Sequence, residues 1–180
     1  DEGHNIMRYD KLVTSIEVSI QLDEYTLNVY HTRLLKQILP QNERVHLLLG
    51  TSALDYLVEK KDIEFEKHML AMENLCDYLK LNFPNVNILW KGVSAVHVNN
   101  LNCLRDISPR DCELFNKYTS SSRVEKLYKL EKDLTKRIGV HYIDTYKYTS
   151  ARPEMLVTGS AIYYNKQANE EMWNAHFDVE

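Results

Sequence analysis

The fold of this chain is decided by one stretch near its end, Met155-Leu-Val-Thr-Gly-Ser160-Ala-Ile-Tyr163-Tyr-Asn165-Lys-Gln-Ala168-Asn-Glu-Glu-Met172-Trp173. It has the layout of a catalytic loop that leads into a terminal helix. The loop nevertheless lacks the acidic and basic side chains that such chemistry requires. The stretch therefore indicates a site that has kept its scaffold and lost its reactive groups.

The rest of the chain alternates between strands and helices. Apolar stripes at helical spacing end at Pro40, at Pro84 and at Gly139, and the glycine is typical of a left-handed helix cap. Short runs rich in β-branched and aliphatic residues predict strands between these helices, at residues 11–20, 44–50, 86–90 and 140–143. This alternation predicts an α/β fold, with a mostly parallel sheet inside three α/β/α layers.

The terminal stretch resembles the last motif of the SGNH (GDSL-type) hydrolase superfamily, including its branch related to Pmr5 and Cas1p. In that motif, Asp-x-x-His is followed after one residue by Asn or Asp and then by a final helix. If Asn165 is set on this Asn, then Ser160 takes the acid position and Tyr163 takes the base position. Ala168 and Met172 then match the usual small and apolar residues of the helix. The resemblance implies a flavodoxin-like strand order.

Three upstream blocks extend the resemblance over roughly residues 12–177. Gly50-Thr51-Ser52-Ala53 resembles the Gly-x-Asn-Asp block that supplies oxyanion donors, with Ser52 in place of Asn. Residues 88–97 and 140–146 resemble two further strands of the family and the loops that follow them. Because parallel strands present their carboxyl ends together, the blocks at 50–52, 92–97 and 160–163 are predicted to meet at one edge of the sheet. In the family, a Gly-Asp-Ser nucleophile block ends a first strand that lies centrally in the sheet, and this block is missing from the sequence. Either residues 6–9 form a degenerate first strand, or the first strand belongs to a longer polypeptide; we favour the second alternative.

The chemistry that remains is insufficient for a serine hydrolase, which needs a nucleophile, a base and an oriented acid. A phenol such as Tyr163 has a pKa of about 10 and is not a base near pH 7, and Ser160 carries no charge. His97 and His141 qualify as bases by residue type only. The histidines and cysteines show no metal-ligand spacing, so we predict neither a metal nor another cofactor. We therefore predict a pseudoenzyme, with an active esterase or O-acyltransferase as the alternative.

Length, charge and cysteine usage narrow the class of protein. We expect residues 1–180 to form a single domain of a longer polypeptide. A net charge of −4 argues against a bulk polyanion binder. No apolar run reaches the ~18 residues of a membrane span, so we predict no membrane partner. Three cysteines, with Cys76 on an apolar helical stripe, favour a reducing, cytoplasmic setting.

Basic and aromatic residues surround the degenerate loop. Arginine and lysine among aromatic rings suit single-stranded RNA, because charge holds the phosphates and rings stack on the bases. An alternative is that the tyrosines complete the core while the basic side chains extend to water. The lysine-rich helix between Lys126 and Lys136, which also contains Glu125, Glu131 and Asp133, is interpreted as a solvated face. The candidate RNA-binding residues are Arg105, Arg110, Arg152, Tyr163, Tyr164 and Lys166.

In lacking the acid and the base, this sequence also resembles a catalytically degenerate branch of the superfamily that binds RNA. This resemblance implies binding of messenger RNA and the scaffolding of a cytoplasmic ribonucleoprotein assembly with other proteins, as in germ plasm. A pure protein-interaction module remains a further alternative.

Overall fold

The computed structural model describes residues 6–9, 13–17, 29–50, 62–97, 113, 120–157 and 164–176. The strands are β1 (Ile6–Tyr9), β2 (Val13–Glu17), β3 (Val45–Gly50), β4 (Val86–Lys91) and β5 (His141–Ile143). The helices are α1 (Val29–Ile38), α2 (Asp62–Asn82), α3 (Ser121–Ile138), α4 (Thr145–Ser150) and α5 (Lys166–His176), with a 3₁₀ turn at Pro153–Met155.

The five strands form one sheet in the order β1-β2-β3-β4-β5. Strands β2 to β5 pair in parallel, and β1 pairs with β2 in antiparallel orientation at the edge. The α/β fold with a mostly parallel sheet is therefore confirmed. Its strand order differs from the flavodoxin-like order 2-1-3-4-5. Only residues 10–12 separate β1 from β2, which is too short for the crossover that a parallel pair requires and accounts for their antiparallel pairing.

Residues 6–9 thus form an edge strand and do not take the central place that the family gives to its first strand. The alternative that a central first strand belongs to a longer polypeptide stays a prediction.

The core follows the apolar stripes of the sequence. On α2, the side chains of Phe65, Met72, Cys76 and Leu79 are at most 2% exposed, as their spacing in steps of three and four predicts. Burial raises the pKa of the Cys76 thiol to about 12, so this cysteine packs as a small apolar group. The stripe of α2 belongs to one hydrophobic cluster with residues of α1, β3, β4 and α3.

Strand β4 shows that the middle of the sheet is covered on both faces. Ile88, Leu89 and Trp90 follow one another and are at most 5% exposed, although consecutive side chains of a strand point to opposite faces. Helix α3 begins at the N-cap Ser120 and ends at Gly139, whose φ of 66° is the left-handed conformation expected of a C-cap glycine. Across the described ranges, no helix is both long and apolar enough to cross a membrane.

Candidate functional site

The carboxyl ends of β3, β4 and β5 meet at one edge of the sheet. Gly50 is opposite Lys91, and Lys91 is opposite Ile143. The blocks that begin at Gly50 and at Gly92 therefore converge, as the sequence predicts for parallel strands. Residues 51–61, 98–112 and 158–163 lie outside the described residues, and so do the degenerate positions Ser52, Ser160 and Tyr163.

The loop after β4, residues 92–97, is held by buried side chains from neighbouring elements. Thr145 of α4 donates its hydroxyl to the carbonyl oxygens of Gly92 and Val93. Thr149, one helical turn later, accepts from the backbone N–H of Ala95 at 2.8 Å. Both threonines are at most 1% exposed. The loop is therefore fixed by polar side chains rather than by a regular ladder of backbone hydrogen bonds.

Glu131 corrects one interpretation of the sequence. The charge pattern assigns this residue to the solvated face of α3, yet its side chain is 0% exposed. Its Oε2 accepts from the backbone N–H of Val93 at 2.9 Å and from the hydroxyl of Tyr142 at 3.3 Å. The physical reason is periodicity: Glu131 lies four residues after Leu127 and seven after Val124, so it falls on the buried stripe of the helix. That spacing is the signal in the sequence that could have found it.

Gly92 permits this arrangement. A Cβ at Gly92 would collide with the ring and hydroxyl of Tyr142. Glycine therefore allows Tyr142 to lie across the end of β4 and reach Glu131. Burial, together with the charge of Glu131, raises the pKa of Tyr142 well above its usual value, so its hydroxyl stays protonated and acts as a donor.

Asp144, the residue after β5, organises the outer side of this edge. Its Oδ1 caps α4 by accepting from the N–H of Lys147 at 3.0 Å, and its Oδ2 accepts from Lys132 at 2.8 Å and Tyr128 at 3.0 Å. Burial opposes ionisation of Asp144, but these donors outweigh it and lower the pKa of the carboxyl. Tyr128 also stacks on Tyr146 with ring centroids 4.5 Å apart.

Arg152 is held in a defined position beside α5. Its guanidinium lies 4.4 Å from the ring centroid of Tyr148, and its Nη1 donates to the Tyr148 hydroxyl at 3.0 Å and to Glu171 at 2.8 Å. Hydrogen bonds from Tyr148, Gln167 and Arg152 lower the pKa of Glu171. Arg152 is therefore a preorganised cation with 40% of its side chain exposed. The sequence predicts that this arginine lies near the loop, but no local pattern indicates its partners.

The other candidate RNA-binding residues divide into three groups. Lys166 begins α5 with 89% of its side chain exposed and lies 3.4 Å from Glu170. Tyr164 points inward, since its hydroxyl donates to the carbonyl oxygens of Ala95 at 3.0 Å and Thr149 at 3.3 Å. Burial raises the pKa of Tyr164 to about 12. Arg105, Arg110 and Tyr163 lie outside the described residues. Tyr164 therefore has a structural role in this site, and its contact with RNA stays a prediction.

The two histidines that qualify as bases by residue type, His97 and His141, lie in different surroundings. His97, one of the two possible bases, has its Nε2 3.1 Å from the carbonyl oxygen of Thr149 and its ring beside Tyr164, which is the structural role that is common for such histidines. His141 is exposed on strand β5. Among the described residues, no three metal-ligating side chains lie close enough to hold an ion.

Comparison with known proteins supports the fold. No family model matches this chain, and no curated protein sequence matches it significantly. Among solved structures, it is similar to a lipase/acylhydrolase from Enterococcus faecalis, with a TM-score of 0.54 and 12% identity over 78% of this chain. It is also similar to a protein named a GDSL-like lipase from Parabacteroides merdae, with a TM-score of 0.55 and 12% identity over 86% of this chain.

The chain spans 63% of the length of the Enterococcus protein and 70% of the length of the Parabacteroides protein. At 12% identity these matches concern the fold alone. Together with the parallel sheet and the convergence of its strand ends, they show that this chain has the α/β fold of the GDSL (SGNH) lipase-like hydrolases.

Proposed function

We propose that this chain is a non-catalytic SGNH-like domain that binds single-stranded regions of messenger RNA and scaffolds a cytoplasmic ribonucleoprotein assembly. In this respect it resembles the OSK domain of Oskar, the germ-plasm organiser, whose SGNH-like fold lacks the hydrolase triad and binds RNA. The likeness rests on Ser160 and Tyr163 at the acid and base positions, on Ser52 at the oxyanion position, and on the abundance of tyrosine.

The arrangement of Arg152 is the observation that carries the proposal. A guanidinium that is stacked on an aromatic ring and paired with a carboxylate has already lost much of its conformational freedom, so a phosphate binds it at a lower entropic cost. Only Nη1 of Arg152 has hydrogen-bond partners among the described residues, namely Tyr148, Glu171 and the Met155 sulfur. Its remaining N–H groups are left for a ligand.

Lys166 adds a second cation beside the same helix. Gln167, the next residue, donates to Glu171, and Glu171 in turn binds Arg152. The guanidinium of Arg152 therefore lies against the first turns of α5, where Lys166 begins the helix. With 89% of its side chain exposed and only a long i,i+4 ion pair to Glu170, Lys166 is available to a phosphate. Two cations near one another fit a backbone contact that does not depend on sequence.

We propose that the domain is not catalytic because of the contacts and identities of its candidate acid and base residues. His97, one of the two possible bases, lies against the backbone carbonyl oxygen of Thr149. Ser160 and Tyr163, at the acid and base positions, supply neither a carboxylate nor an imidazole.

RNA binding is tested by replacing Arg152 and Lys166 together by glutamine. Neutral substitutions are chosen because glutamate at position 152 would face Glu171. We expect weaker binding to all single-stranded sequences and a salt dependence that falls by about 1.4, since each lost phosphate contact removes roughly 0.7 from the slope. The measurement is fluorescence anisotropy with a labelled oligouridine over a series of salt concentrations.

A matched control replaces two exposed lysines, Lys36 on α1 and Lys67 on α2, by glutamine. This control changes the net charge by the same amount, and its salt dependence of binding should equal that of the wild-type protein. An equal loss of affinity in both double variants would indicate that only bulk charge matters. Unchanged affinity in the Arg152 and Lys166 variant would show that RNA binds elsewhere, and the lysine-rich α3 would be tested next.

The active-hydrolase alternative rests on the fold of the lipase-like neighbours and is tested separately. A short-chain ester assay and a serine-directed phosphonate probe are applied to the wild-type protein. Stoichiometric labelling of any serine would show that the domain is an enzyme. Crosslinking to RNA under ultraviolet light, with mapping of the crosslinked peptides, distinguishes RNA binding from a pure protein-interaction module.

A further inference from the structure

The loop after β4 holds the two neighbours of Ser94 firmly. The N–H of Val93 is bound by Glu131, and the N–H of Ala95 is bound by Thr149. The carbonyl oxygens of Val93 and Ala95 accept from Thr145 and Tyr164. Ser94, which lies between them, has no hydrogen-bond partner among the described residues for its N–H, its carbonyl oxygen or its hydroxyl.

Three buried polar side chains are used to hold this loop in one conformation. Burying a carboxylate and two threonine hydroxyls requires that each finds partners, and here those partners are backbone groups of the loop. The consequence is that the backbone N–H of Ser94 is held in place between its bonded neighbours at the carboxyl edge of the sheet. Ser94 is half-exposed and therefore accessible to a ligand. In open α/β sheets, this edge is where ligands bind.

The chemistry of these groups selects an oxygen-rich, negatively charged ligand. A backbone N–H and a hydroxyl of one residue are two neighbouring donors for an oxyanion. Lys91, at the end of β4, is half-exposed and has no ion-pair partner among the described residues. It adds positive charge three residues before Ser94.

We infer that Ser94 and Lys91 form a phosphate-binding site at the carboxyl edge of the sheet, which receives a phosphate of the RNA backbone. Glu131 acts as a positioning residue, because it binds the N–H of Val93 next to Ser94. The inference rests on the proposed RNA binding for the source of the phosphate, whereas the site itself rests on the geometry of the loop.

The test follows the amide of Ser94 by NMR in the wild-type protein, with a short oligouridine and with inorganic phosphate in separate titrations. Without ligand, the Ser94 amide should exchange with solvent faster than the bonded amides of Val93 and Ala95. With oligouridine, it should shift and become protected. With inorganic phosphate at high concentration, it should shift in the same direction.

Substitution gives the second readout. Ser94→Asp places negative charge in the site and should weaken oligouridine binding by about ten- to a hundredfold, the range of a lost charged hydrogen bond. Lys91→Gln should lower the salt slope by roughly 0.7. Ser94→Ala should weaken binding less, because the backbone N–H remains. The control is Asn42→Asp, which adds the same charge to the exposed turn before β3, at the opposite edge of the sheet.

Each result has a separate meaning. If the wild-type protein does not bind oligouridine while phosphate shifts the Ser94 amide, the phosphate site stands and the RNA proposal fails. If oligouridine binds while the Ser94 amide is unmoved and Ser94→Asp binds like wild type, the RNA proposal stands and this site is refuted. An amide that responds to neither ligand also refutes the site.

Discussion

Replacing Glu131 by leucine should destabilise the domain although it removes a charge from the core. The side chain is 0% exposed, and the donors that it binds include the N–H of Val93 and the hydroxyl of Tyr142. Leucine preserves the helix propensity and much of the volume, but it removes the acceptor of the buried Val93 N–H and of the part-buried Tyr142 hydroxyl. Each unsatisfied donor costs about 1–3 kcal/mol.

The magnitude follows from opposing contributions. Two donors without an acceptor together cost about 2–6 kcal/mol. Leucine no longer requires a carboxylate to be buried and gains apolar contact, which offsets part of this cost. We therefore expect Glu131→Leu to lower the free energy of unfolding by about 3 kcal/mol. For a domain of this size, each kcal/mol corresponds to roughly 2–4 °C in Tm. Glu131→Gln keeps an acceptor oxygen and should cost about 1 kcal/mol.

The assay is equilibrium urea denaturation at neutral pH, combined with amide exchange at Val93. Glu125→Leu is the matched control, because Glu125 is an exposed residue of the same helix in an i,i+4 pair with Lys129; it should stay within about 0.5–1 kcal/mol of wild type. In a double-mutant cycle, Tyr142→Phe should cost less in the Glu131→Leu background than in wild type, since the shared hydrogen bond is already lost. A stability for Glu131→Leu within about 0.5 kcal/mol of wild type would refute the reasoning.

Two further predictions concern the buried residues His68 and Gly92. Burial lowers the pKa of His68 to about 4 from 6.5, so the unfolded chain binds a proton that the folded chain does not bind between these values. Stability should be full above pH ~6.5 and should fall by roughly 2–3 kcal/mol as the pH drops to about 4.5, whereas His68→Gln should remove this part of the pH profile measured by urea denaturation; an unchanged profile would show that other groups dominate. Gly92→Ala should lower the free energy of unfolding by about 1–3 kcal/mol, because the new methyl group displaces the ring of Tyr142. Thermal denaturation measures this loss, Gly139→Ala provides a comparison where strain is backbone only, and a fully stable Gly92→Ala would contradict the close approach.

The local elements of this fold could be read from the sequence. The buried face of α2, the ends of helices before Pro40 and Pro84, and the cap at Gly139 follow from periodicity and from backbone preferences. These properties depend on residues within a few positions of each other. The sequence also indicated that parallel strand ends meet at one edge, because strands joined by helices must run in the same direction.

The tertiary structure alone decided which polar groups meet. Glu131 and Val93 are 38 positions apart, and Tyr164 and Ala95 are 69 apart. No local pattern reports such a contact, because it depends on the packing of α3 and of the segment before α5 against the loop after β4. The order of the strands was also seen only in the tertiary structure, where β1 lies at the edge beside β2.

The sequence by itself thus determined the α/β elements and their apolar stripes, because these follow from side-chain periodicity along one segment. The pairing of Arg152 with Glu171, the binding of Glu131 to Val93 and the isolation of Ser94 between two anchored amides were decided only by tertiary structure. The physical reason is that a polar group inside a fold must be satisfied by whatever lies next to it in space. Those neighbours are distant in the chain.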